Sequence, residues 1–174
     1  MRTFVIILLS VISFFAHLIL SPLLAIFGAK IDFIMLNLVG LAFFTKKWYP
    51  PVLAGLYSGL LVDITTQAGT YINTGIYFVL AGLAVIAIKI IKQNHYVLYI
   101  FSVFIAVCVK HFLLIFVLYI MRLSESASIM TFVHGLPSAL YTAIISAGNY
   151  FILKKIFSLN FMQENPTERN KYVF

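Results

Sequence analysis

Residues 54–64 read Ala54-Gly55-Leu56-Tyr57-Ser58-Gly59-Leu60-Leu61-Val62-Asp63-Ile64. Gly55, Gly59 and Asp63 recur at every fourth position, so a helix stacks all three on one face. Two glycines strip that face of side chains and let another backbone approach closely. A carboxylate ends the run, and in lipid it must sit at an interface or face a partner. This spacing predicts a helix with a bare groove closed by an acid, suited to receive another helix. From the spacing alone, packing against the chain's own neighbours is the preferred use of that face.

Composition fixes the solvent around that helix. Of 174 residues, 63% are hydrophobic and 10% charged, and the mean hydropathy is +1.06. Soluble domains carry about 25% charged residues, so this chain cannot cover itself in water. An all-α integral membrane protein follows, surrounded by the lipid bilayer. Its length suits one domain of five or six helices, 1–159, followed by a short polar tail, 160–174, expected to be disordered or lightly attached to the membrane surface. Cys108 is the single cysteine and lies among apolar residues, which excludes an internal disulfide and multi-cysteine metal clusters.

Apolar blocks at 3–27, 31–45, 52–66, 72–91, 96–121 and 129–156 predict six transmembrane helices. The first is read as a retained span rather than a signal peptide, being long for an h-region. Blocks two and three hold fifteen residues each and rise about 22 Å, against about 30 Å of hydrocarbon. They are read as two short spans, with a re-entrant hairpin tipped at Pro50-Pro51 as the alternative. With the N-terminus in the cytoplasm, Arg2, Lys46, Lys47, Lys89, Lys92, Lys154, Lys155, Arg169 and Lys171 fall inside, and only Lys30 and Arg122 outside. That asymmetry predicts both termini to be cytoplasmic. The net charge of +7 is explained by this topology, and no nucleic-acid motif accompanies it.

Further polar residues stand out within the spans. Lys110 lies near the middle of the fifth block, where an ammonium costs at least about 2.5 kcal/mol, so it needs acceptors such as Asn37 or Asp32. His111 points about 100° away from it. An intramembrane polar cluster of Lys110, His111 and Asn37 is one expectation, and a lysine stem snorkelling along the bundle is the other. Asp63 either braces the loop that follows it or meets a basic residue of a partner. Pro137 predicts a kink in the last helix. His17, His95, His111 and His134 are scattered without metal-ligand spacing, and Gly135-Leu136-Pro137-Ser138 lacks the form of a nucleophile elbow. No catalytic, cofactor or metal site is expected, and no enzyme activity.

The glycine-and-acid block continues to Gly69 and then to Tyr77 and Gly82, and in this order it resembles the central motif of the MreD family, bacterial rod shape-determining membrane proteins. Leu136-Pro137-Ser138-Ala139-Leu140-Tyr141-Thr142-Ala143 looks like that family's last-helix motif, which usually carries asparagine where this chain has Thr142. The resemblance extends over nearly the whole chain. It implies a non-enzymatic scaffold in the bacterial cytoplasmic membrane, binding the single-span protein MreC. That complex connects MreB filaments with RodA and its penicillin-binding transpeptidase in peptidoglycan synthesis. It also implies a fold like the six-helix substrate-binding subunits of energy-coupling-factor transporters. The alternative is a transport subunit that binds a small vitamin-like molecule, for which few converging polar groups are present: Asp32, Asn37, Asp63, Asn73 and Glu125.

Overall fold

The computed structural model describes residues 2–45, 47–66, 71–91, 95–121, 125–159 and 162. They form six helices: α1 Arg2–Leu23, α2 Phe33–Phe44, α3 Tyr49–Thr66, α4 Ile72–Ile91, α5 Tyr96–Ile120 and α6 Glu125–Phe157. Each apolar block of the sequence contributes one helix. Four are long and apolar enough to cross a membrane: α1, α4, α5 and the Val133–Phe157 portion of α6. The chain is therefore a multi-pass membrane protein.

Several boundaries differ from expectation. α3 starts at Tyr49, so Pro50 and Pro51 both lie in its first turn, where an N–H has no intrahelical partner to lose. α6 starts at Glu125 and runs 33 residues through Pro137 as one helix. Of the predicted polar tail, Met162 is buried against the core, and 160–161 and 163–174 lie outside the described residues.

The largest departure is between α1 and α2. α1 ends at Leu23 instead of continuing to 27. Ile26 and Ala29 exchange backbone hydrogen bonds of 3.1 and 2.9 Å around Phe27 and Gly28. Both central residues have positive φ, 49° and 82°, as in the tight turns that join antiparallel segments. Gly28 is doubly required, because a Cβ there would also lie 2.5 Å from the His134 ring. Residues 29–32 then run non-helically, with Ala29, Ile31 and Asp32 buried. The 12-residue α2 rises about 18 Å, short of the roughly 30 Å of hydrocarbon. Where the sequence predicts a short helix from residue 31, the structure has non-helical chain as far as Asp32 and helix only from Phe33.

α2 forms the centre of the bundle, touching all five other helices, and every residue from Ile34 to Phe44 is buried. Helices consecutive in the chain alternate in direction. Asp63 meets Asn73 while Gly55 meets Ala81, so α3 and α4 are antiparallel. Asn149 meets Tyr99 and Gly135 meets His111, so α5 and α6 are antiparallel too. α2 runs parallel to α6, as Asp32 pairs with Thr142 and Phe44 stacks on Phe157. Arg2 and Phe157 consequently lie at one end of the bundle. That end is packed with rings: Phe43, Phe44, Tyr99 and Tyr150 have centroids 5.4–6.5 Å apart.

Candidate functional site

Extended backbone at membrane depth persists only if its N–H and C=O groups find partners within the protein. Here side-chain hydroxyls supply them. Ser21 Oγ of α1 donates to the Ile31 carbonyl at 2.7 Å. The Lys30 N–H donates to Ser138 Oγ at 3.0 Å, and the Asp32 N–H to Thr142 Oγ1 at 3.1 Å. Ser138 and Thr142 are one turn apart on α6, so a single helix face holds alternate residues of the extended strand. Thr142 Oγ1 in turn donates a hydrogen bond to the Ser138 carbonyl at 2.7 Å.

The strand ends at Asp32, which caps α2. Its Oδ1 accepts the Met35 N–H at 3.0 Å, satisfying an orphan donor of the first turn. Its Oδ2 forms an ion pair and hydrogen bond with Lys110 Nζ of α5. Lys110 also donates to Tyr77 Oη of α4 at 2.8 Å, and Tyr77 donates back to Asp32 Oδ2 at 3.5 Å. The ammonium lies 4.8 Å from the centre of the Tyr77 ring, adding a cation–π attraction. His17 of α1 approaches from the other side, with Nδ1 3.8 Å from Asp32 Oδ1. Side chains or hydroxyls of α1, α4, α5 and α6 therefore converge on the N-cap residue of α2. Asp32 and Lys110 neutralise one another, so the buried cluster carries no net charge while His17 is neutral. Among the described residues no group of three or more His, Cys, Asp or Glu could hold a metal.

This arrangement changes the predicted cluster of Lys110, His111 and Asn37. Only Lys110 belongs to it, paired with Asp32. His111 lies on the α6 side of α5, where its Cβ is 3.2 Å from a Cβ built on Gly135. The 100° step between adjacent helical residues separates it from Lys110. Asn37 is buried five residues beyond Asp32, and its Nδ2 has no hydrogen-bond partner among the described residues. The sequence reading missed Tyr77, His17 and Ser21 as partners. Tyr77, Ser138 and Thr142 do fall within the two quoted motif stretches.

The glycine face of α3 forms a second joint. A Cβ on Gly55 would lie 2.7 Å from the Tyr77 carbonyl oxygen, and one on Gly59 2.5 Å from Thr74 Cα. α4 of the same chain therefore covers the face expected to be an open docking ridge for a partner helix. Backbone atoms fill the space left by the missing side chains, so a second polypeptide has no access there. Asp63 completes the joint. Its Oδ1 accepts from the Asn73 N–H at 3.2 Å and Asn73 Nδ2 at 2.8 Å. Its Oδ2 accepts from the Thr74 N–H at 2.8 Å and Thr74 Oγ1 at 2.6 Å. Asn73 and Thr74 lie in the first turn of α4, so Asp63 caps that helix from across the interface. Pro137 is exposed on α6, next to Ser138, which faces inward.

No family model, curated protein or solved structure matches the chain.

Proposed function

We propose that this chain is a membrane scaffold of the MreD kind, whose ligand is the transmembrane segment of the single-span protein MreC. In this reading it lies in the bacterial cytoplasmic membrane with both termini inside, and it helps control cell shape through the RodA–transpeptidase pair and MreB. The observation that carries the proposal is that the motif residues coincide with the joints of the bundle. Gly55, Gly59 and Asp63 join α3 to α4. Ser138 and Thr142 hold the extended strand, and Tyr77 completes the ion pair. Residues that define the motif thus act by making the bundle rigid. A rigid body with apolar outer faces suits a protein that positions others.

The same observation weighs against a vitamin-like ligand. Asp32 and Lys110 are spent on each other, and Asp63 on α4, so they offer no converging groups to a polar small molecule. The contact with MreC then uses a surface other than Gly55 and Gly59. Affinity purification from native membranes tests the reading: MreC is expected among the bound chains, with RodA and the transpeptidase in milder detergent. Recovery of a small metabolite without MreC overturns it in favour of a transport subunit.

A further inference from the structure

α1 turns Ile6, Ser10, Ser13, Phe14 and Ser21 inward, all of them buried. The Ser10 and Ser13 hydroxyls donate to carbonyls of α1 itself. Among the described residues one side-chain hydrogen bond joins α1 to the rest of the chain, from Ser21 to the Ile31 carbonyl. His17 lies one turn before Ser21 on the same face, yet it makes no such bond. Its Nδ1 is buried without a hydrogen-bond partner among the described residues. Asp32 Oδ1, 3.8 Å away, is beyond hydrogen-bond reach.

The charges around that imidazole decide what a proton would do there. Asp32, Lys110 and Lys30 all act on it, and Lys110 already neutralises Asp32. α3 also packs on α1, but its Tyr49 and Tyr57 lie against the first half of α1, and its Asp63 is committed to α4. An imidazolium at position 17 therefore meets two cations and a carboxylate that is already paired. A buried charge without a counter-charge of its own is strongly destabilising, so one of its neighbours must give way. Asp32 is fixed from three sides: Oδ1 caps α2, Oδ2 holds Lys110 and its N–H is bound to Thr142. The Lys30 N–H is likewise held on α6, by Ser138. α1 has only the Ser21 bond to lose.

We infer that His17 is a proton-operated latch: when its imidazole is protonated, the second half of α1 parts from the non-helical segment 29–32, which stays bound to α6. Histidine is the side chain whose charge ordinarily changes between pH 5 and 8, so the latch responds to mild acid. Neutral His17 completes the buried cluster without adding charge, and α1 stays closed. The inference does not rest on the scaffold reading, because it concerns the α1 joint alone.

The thiol of Ser21→Cys, in a Cys108→Ala background, reports on that joint, since position 21 is buried until α1 opens. The full-length protein is reconstituted in phosphatidylcholine vesicles and treated with a water-soluble maleimide. At each pH the rate is taken relative to that of the same cysteine in the chain unfolded by dodecyl sulfate, which cancels the titration of the thiol. Between about pH 7.5 and about pH 5.5 the relative rate should rise about tenfold, the ratio for one imidazole that titrates near pH 6.5 once released and stays neutral while buried. The sign follows from the same linkage: the open form binds the proton, so acid favours it. Adding His17→Asn, which keeps a neutral polar side chain, should abolish the rise. A cysteine at Val107, buried on α5 in the same background, should stay unreactive at both pH values. A flat profile for Ser21→Cys overturns the inference, as does a rise that survives His17→Asn. An equal rise at Val107→Cys overturns it as well, because the whole bundle would then be loosening and not α1.

Discussion

Lys110 carries a charge into the bundle, and Asp32 is the residue that makes it tolerable. The pair bridges 78 positions of sequence, with Tyr77 sharing a hydrogen bond with each member. Replacing Lys110 by methionine strands the Asp32 carboxylate and should cost about 3–5 kcal/mol of stability. Adding Asp32→Asn to that variant removes the stranded charge and should recover much of the loss. Unfolding by sodium dodecyl sulfate, read by circular dichroism, measures both; a double variant as unstable as the single one would show that charge pairing is not the source. Asp63 poses a related question, with four donors and no cation among the described residues. Asp63→Asn keeps the shape but surrenders one oxygen at the start of α4, for an expected loss of about 1–2 kcal/mol. Faster amide exchange at Asn73 and Thr74 should accompany it, and unchanged exchange would contradict the capping role.

At the scale of elements, the bundle relies on two different joints. The α3–α4 joint is steric. Gly59→Ala drives a Cβ into the Thr74 backbone and should destabilise by about 1–3 kcal/mol as the helices part. Gly82 on α4 has nothing within 4 Å of an added Cβ, so Gly82→Ala should be neutral or up to about 1 kcal/mol stabilising. Comparing the two by thermal unfolding in one detergent separates close approach from helix propensity. The joint between α6 and the extended strand is polar instead. Thr142→Val preserves volume and leaves the Asp32 N–H without its acceptor, at an expected cost of about 1–3 kcal/mol. Rescue by Thr142→Ser, which restores the hydroxyl, would tie that cost to the hydrogen bond rather than to packing.

For the molecule as a whole, alternating helix directions put Arg2 and Phe157 at one end and the Phe27 turn at the other. In a Cys108→Ala background, Phe27→Cys and Ser158→Cys should therefore react with an impermeant maleimide from opposite faces of the membrane. Under the proposed orientation, intact cells label position 27 and leave position 158 unmodified. Labelling of both positions from one side would contradict the helix directions themselves.

The membrane class and the six helices could be read from the sequence because both depend on local composition: too few charges to face water, and polar or proline-rich breaks between apolar blocks. That Asp63 must find donors was readable from its place at the end of an apolar run, but not that the donors are Asn73 and Thr74 of α4 rather than the loop after it or a partner. Which faces meet was not recoverable in the same way. In lipid the core and the surroundings are equally apolar, so hydrophobic periodicity fades, and α2, buried on every side, has no polar face to reveal its place. Only the tertiary structure decided that α4 fills the glycine face of α3, that Lys110 pairs with Asp32 rather than Asn37, and that 29–32 run as buried non-helical chain. Each of these depends on hydroxyls and backbone atoms brought together from distant helices, where desolvation makes an unpaired polar group too costly to leave alone.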